Sequence, residues 1–132
     1  GAAIRAAEIA GADLADIGTL FIAARESLAA DGYRQMVVEA GVDDLVLTKA
    51  FTGASAYYLR RSIERAGLDP DNLSGKTSMN WGQSDTQLKA WKDIWSAGQS
   101  VAAVHRVESA GEIIARLRAE YLQSVNVPSF GP

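Results

Sequence analysis

Asp16-Ile17-Gly18-Thr19 is the tightest group of residues in this chain whose types and order could do chemistry. The group closes an apolar stretch that begins at Asp13, so the sequence predicts a glycine at the carboxyl end of a buried strand. A glycine there lets backbone N–H groups come close to an anion, and the threonine after it adds a hydroxyl donor. The chemistry that suits this arrangement is the holding of a phosphate. A Gly-Thr pair also ends strands that bind nothing, so its weight depends on what surrounds it. Gly98-Gln99-Ser100 is a second small, polar turn, and its plainest reading is a helix stop followed by ordinary turn residues.

Other reactive types are sparse. His105 is the sole histidine. A general base needs an orienting partner and a pocket, and a metal site needs several ligands at workable spacing. Neither surrounds His105 in the sequence, and Arg106 beside it predicts an exposed position. Asp43, Asp44, Asp69 and Asp71 stand where turns are expected, and carboxylates there cap the backbone rather than share a proton. Trp91 and Trp95 are four apart, which places them on one helical face as core packing. Trp81 lies instead in a polar stretch. No cysteine is present, which excludes disulfides, thiolate nucleophiles and thiolate metal sites. Residue types alone thus leave two readings of the Gly-Thr pair, a phosphate corner or a plain strand end, and show no catalytic residue beside it.

The bulk properties agree with a folded domain. With 132 residues, 48% hydrophobic and 22% charged, the chain fits one soluble domain able to bury about two-thirds of its unfolded surface. Thirteen Lys and Arg against sixteen Asp and Glu give a net charge of −3, with the basic residues scattered. Nucleic-acid binding leaves a basic stripe and a high pI, so that class is excluded. No apolar run reaches the roughly 18 residues of a membrane span, and no signal peptide is recognisable. A soluble, cytoplasmic protein is expected.

The elements that must position the corner follow from patterning. A helix is predicted through Ile4 and Ile9, stopped by Gly11, and followed by an apolar strand over residues 13–23. An amphipathic helix over 31–40 ends at Gly41, a strand follows over 44–48, and a helix over 57–66 ends at Gly67. Residues 69–75 are rich in turn formers, and the polar stretch 74–84 is a loop long enough to cover a site. A helix over 86–95 and a short apolar strand over 101–104 precede the clearest helix, over 108–122, with Ser109 as its cap. The pattern is α/β and helix-rich, with two or three short strands. So few strands cannot close a barrel, and a complete eight-fold barrel needs about 250 residues.

In their order, these residues resemble one family. The run from Gly11 through Asp16-Ile17-Gly18-Thr19 to Ala23 resembles the last barrel strand of nitronate monooxygenases, formerly called 2-nitropropane dioxygenases. Asp44-Leu45-Val46-Leu47-Thr48-Lys49-Ala50-Phe51-Thr52-Gly53 is similar to the segment that follows that strand and its helix. Tyr58-Leu59-Arg60-Arg61-Ser62-Ile63, the stretch from Ala66 to Leu73, and Lys89 through Ser100 resemble a bacterial branch of the family. The chain departs from the pattern at Leu20, where the family carries Arg, and near Ala24, where it carries Thr.

The resemblance implies the C-terminal portion of a (β/α)₈ TIM barrel, with residues 1–132 as one segment of a flavin-binding domain. It implies an FMN-dependent oxidoreductase that oxidises alkyl nitronates with O₂, with enoyl-thioester or quinone reduction, or a non-catalytic fragment, as alternatives. Asp16, Ile17, Gly18 and Thr19 are then the FMN-phosphate residues, and the family's catalytic histidine has no counterpart in this chain. A strand from a closed barrel also predicts association, with a second copy or with the remaining part of a barrel.

Overall fold

The computed structural model describes residues 1–73 and 90–126. Helix α1, Ala2–Ile9, ends as the sequence predicts: Gly11 takes φ 95°, and the Ala12 N–H returns to the Ala7 carbonyl at 3.0 Å. Helix α6, Ala110–Val125, carries its predicted cap. Ser109 Oγ accepts from the Glu112 N–H at 3.2 Å, and Glu112 Oε2 accepts from the Ser109 N–H at 2.6 Å, a reciprocal capping box. The two helices pack together, and Tyr121 on α6 donates its hydroxyl to Glu8 on α1 at 2.5 Å.

Between them the chain departs from its predicted elements in three places. Residues 13–18 form no ladder, and Thr19–Ile22 is a single helical turn, α2, in place of the second half of the expected strand. Among the described residues the backbone groups of 13–17 find no hydrogen-bond partner, so no ladder forms there. The predicted helix over 57–66 divides: Ala56–Leu59 is strand β2, and helix α4 is Arg60–Arg65, closed by Gly67 at φ 78°. Tyr57, Tyr58 and Leu59 favour the pleated backbone and find a partner strand there. The apolar run 101–104 falls in and just after a 3₁₀ turn, Gln99–Ala103, since no strand among the described residues pairs with it.

Helix α3, Asp31–Glu39, and strand β1, Leu45–Thr48, stand where patterning put them, joined by a 3₁₀ turn, Val42–Asp44. Strands β1 and β2 pair antiparallel, Leu45 opposite Leu59 and Thr48 opposite Ala56, and Gly53 at φ 79° turns the chain between them. This sheet is thus a hairpin and not two parallel staves of a barrel. Of the helix expected over 86–95, helix α5, Ala90–Asp93, is described; the polar loop 74–84, Trp81 and the tail from 127 lie outside the described residues.

Two buried groups hold the parts together. The larger joins Leu20, Val37, Leu59, Trp95, Val101 and Ile113, and so draws α2, α3, β2, the 3₁₀ turn and α6 onto one core. The smaller packs Phe51, Tyr58, Ile63 and Ile94, with Phe51 edge-on to Tyr58 at 4.8 Å. No helix of the described residues is long and apolar enough to cross a membrane.

Candidate functional site

Gly18 opens α2 with φ −83° and ψ −59°, and it accepts from the Phe21 and Ile22 N–H groups. Those angles suit any residue, and a Cβ built on Gly18 would meet nothing within 4 Å. Neither backbone strain nor internal packing requires glycine here; what glycine leaves is open space beside the first amides of the turn. Ile17, half-buried against the larger core, anchors the approach to this point, whereas Asp16 is exposed. Among the described residues the N–H groups of Gly18, Thr19 and Leu20 have no acceptor. Three amides without acceptors thus stand beside an open face, a donor set that a small anion could use.

Thr19 is 8% exposed and fixed from a distance. Its Oγ1 accepts from the Gly98 N–H at 2.8 Å, across 79 positions of sequence. The two small polar turns singled out in the sequence are therefore in contact, and Gly98-Gln99-Ser100 is more than a helix stop. Local sequence carries no signal of this pairing. Residues 95–97 deliver Gly98: the Leu59 N–H donates to the Trp95 carbonyl at 2.8 Å, the Ala97 N–H to the Tyr57 carbonyl at 3.3 Å, and Ser96 bridges Tyr58. Buried Ser62 closes the clamp, its Oγ accepting from the Trp95 N–H at 2.9 Å and donating to the Leu59 carbonyl at 2.7 Å. Gln99 Nε2 donates to the Tyr57 hydroxyl at 3.0 Å.

Leu20 and Ala24, the two departures from the family pattern, are both buried in the larger core. A side chain at either position serves packing here. His105 is exposed, as predicted, and among the described residues it joins no cluster of metal-ligating side chains.

A second charged cluster lies beside α6. Glu108 is buried, and its carboxylate accepts from Arg116 Nη2 and Arg106 Nη2, each at 2.8 Å. The Arg116 guanidinium, then that of Arg106, holds the Glu108 carboxyl below the usual carboxylate range against the opposing effect of burial. Glu108 also holds the turn after α2, because its carbonyl accepts from the Arg25 N–H at 2.8 Å. A carboxyl whose pKa is lower in the folded chain contributes stability above its unfolded value of about 4.3, and that contribution is lost as pH falls through the lowered value. Glu108→Gln is expected to cost about 1–2 kcal/mol at neutral pH, discounted because Arg106 stays well solvated. The gap to the wild type should then begin to shrink as pH falls below the unfolded value of about 4.3, and close only below the lowered folded value. Thermal unfolding followed from pH 7 to pH 3 checks this; parallel curves for the two proteins would refute it.

Comparisons with known proteins place the chain in a family and a fold. A family model described as nitronate monooxygenase matches residues 1–120. A nitronate monooxygenase from Paraburkholderia phytofirmans is 31% identical over 134 aligned residues, covering 95% of this chain and 36% of that protein. Among solved structures, a FabK mutant from Thermotoga maritima superposes with TM-score 0.62 at 21% identity, over 92% of this chain and 38% of FabK. That superposition shows the fold: the C-terminal portion of a TIM barrel. The chain spans about a third of the length of the curated relative.

Proposed function

This chain belongs to the nitronate monooxygenase family, and on that premise we propose that it supplies the phosphate-binding corner of an FMN-dependent oxidoreductase that oxidises alkyl nitronates with O₂. The observation that carries the reading is the open face at Gly18 beside amides that have no acceptor among the described residues, followed in the chain by a Thr19 hydroxyl fixed by Gly98. These groups fit a phosphate monoester, which takes several N–H or O–H donors and needs a close backbone approach. FMN, when bound, supplies the redox chemistry with the nitronate and O₂. The residues of this chain hold and orient its phosphate end. Thr19 donates its hydroxyl, Gly18 keeps the approach clear, and Ile17 fixes the backbone against the core. Asp16 serves through its backbone, because a carboxylate turned toward a phosphate would repel it.

The test separates phosphate recognition from general flavin affinity. Riboflavin carries the same ring without the phosphate, so the chain is expected to bind FMN more tightly than riboflavin in calorimetric titration. Gly18→Ala places a methyl group at the open face, and FMN affinity should fall roughly tenfold, the worth of about one charge-assisted contact. Riboflavin affinity should stay the same. Because φ and ψ at 18 suit alanine, folding stability should hold or rise by about 0.4–1 kcal/mol. Equal affinities for FMN and riboflavin in the wild type would overturn the reading.

A further inference from the structure

We propose that Gly98 is a positioning residue for this corner: its N–H and its missing side chain together set the direction in which the Thr19 hydroxyl gives its proton. The inference rests on the phosphate reading above and extends it to a residue 79 positions away.

A threonine hydroxyl has one proton and two lone pairs. At Thr19 one lone pair is taken by the Gly98 N–H at 2.8 Å, and among the described residues the hydroxyl donates to no acceptor. The Gly98 N–H therefore confines the rotor, because the proton must point away from the donor that occupies the lone pair. On the phosphate reading, the side left to it is the one the ligand takes. An oxygen held in this way meets an arriving anion already oriented, so less freedom is lost on binding.

Gly98 meets two requirements at once. Its φ of −79° and ψ of 170° are open to any residue, so its backbone conformation does not call for glycine. Space does: a Cβ at 98 would stand 3.2 Å from Thr19 Oγ1 and 3.8 Å from Ser100 Oγ. The first distance is tight enough that Thr19 would have to move by a few tenths of an ångström. The turn cannot easily give way instead. Pairing of residues 95–97 with β2 and the Ser62 clamp on Trp95 hold it from behind, and Val101 is fully buried just beyond it. Thr19 is itself set at the start of α2, next to Leu20 in the core.

The test compares wild type, Gly98→Ala, Thr19→Ala and the double variant, each titrated with FMN and with riboflavin, alongside thermal unfolding. Gly98→Ala is expected to weaken FMN binding roughly tenfold through displacement of a donor to a charged group, while riboflavin binding stays unchanged. In the Thr19→Ala background, which has no hydroxyl to misplace, adding Gly98→Ala should have no further effect on FMN. Unchanged FMN affinity in Gly98→Ala, with wild type still preferring FMN, would refute the positioning role and leave the phosphate reading intact. Additive losses in the double variant would refute it too, because Gly98 would then act independently of Thr19. If wild type shows no preference for FMN, the phosphate reading itself fails and this inference fails with it. Parallel losses for FMN and riboflavin, or a fallen unfolding temperature, would mark Gly98 as structural only and also overturn the proposal.

Discussion

Purified at micromolar concentration, this chain is expected to scatter light as an assembly heavier than its 14.0 kDa mass. The cause lies in residues 13–17. Among the described residues their backbone N–H and C=O groups are unpartnered, and Leu14 in their midst is 91% exposed. Leu14 borders an open cavity of about 210 Å³ between α1 and α6, where Ala7, Ala12 and Tyr121 offer further apolar surface. Leu28 and Ile9, at 105% and 71% exposure, add to the uncovered area. In a TIM barrel the corresponding strand pairs on both edges and is covered on both faces. Burying a leucine side chain stabilises by about 1.5–3 kcal/mol, and a ladder would satisfy the free backbone groups as well. A second copy of this chain can provide both, edge to edge. Leu14→Asp places a charge within that contact and should return the protein to a monomer without affecting the two cores. A wild-type preparation that scatters as a clean 14.0 kDa species would refute the expectation.

Trp95→Ala should be the most damaging single substitution to stability. The indole is 7% exposed within the larger core and stacks on Tyr33 with ring centres 4.9 Å apart and planes 14° from parallel. Its other contacts are the Arg65 guanidinium, 3.6 Å from the ring centre, and the Lys92 carbonyl, which accepts the Nε1–H at 3.0 Å. Truncation removes all of these and leaves a cavity, at a cost of about 3–5 kcal/mol from lost burial, with about 0.5–1.5 kcal/mol more from the stacked pair. Domains of this size are stable by about 5–15 kcal/mol in all, so little would remain. Trp95→Phe keeps a ring beside Tyr33 and loses chiefly the Nε1–H bond and part of the volume, for about 1–2 kcal/mol. Urea unfolding followed by circular dichroism reads both. A Trp95→Ala midpoint close to that of Trp95→Phe would show that the stack and the cavity carry little.

Sequence alone determined those parts of the protein that depend on near neighbours in the chain. Helices α1, α3 and α6 with their stops and caps follow from side-chain period, a glycine at φ 95° and a Ser-Glu box, all local. The family, the fold class and the absence of thiolate chemistry were likewise legible, since they rest on the order and inventory of residues. Strand assignment was decided by partners. Residues 13–18 and 101–104 are apolar enough for strands but form none, because no ladder among the described residues receives them, while Ala56–Leu59 became a strand by meeting Leu45–Thr48. The corner was decided in the same way. Gly18 and Thr19 could be picked out from their types, but their link to Gly98 is a contact across 79 residues that no local pattern encodes. Only the packed chain brings the two together, with Ser62 and Trp95 holding the second turn against the first.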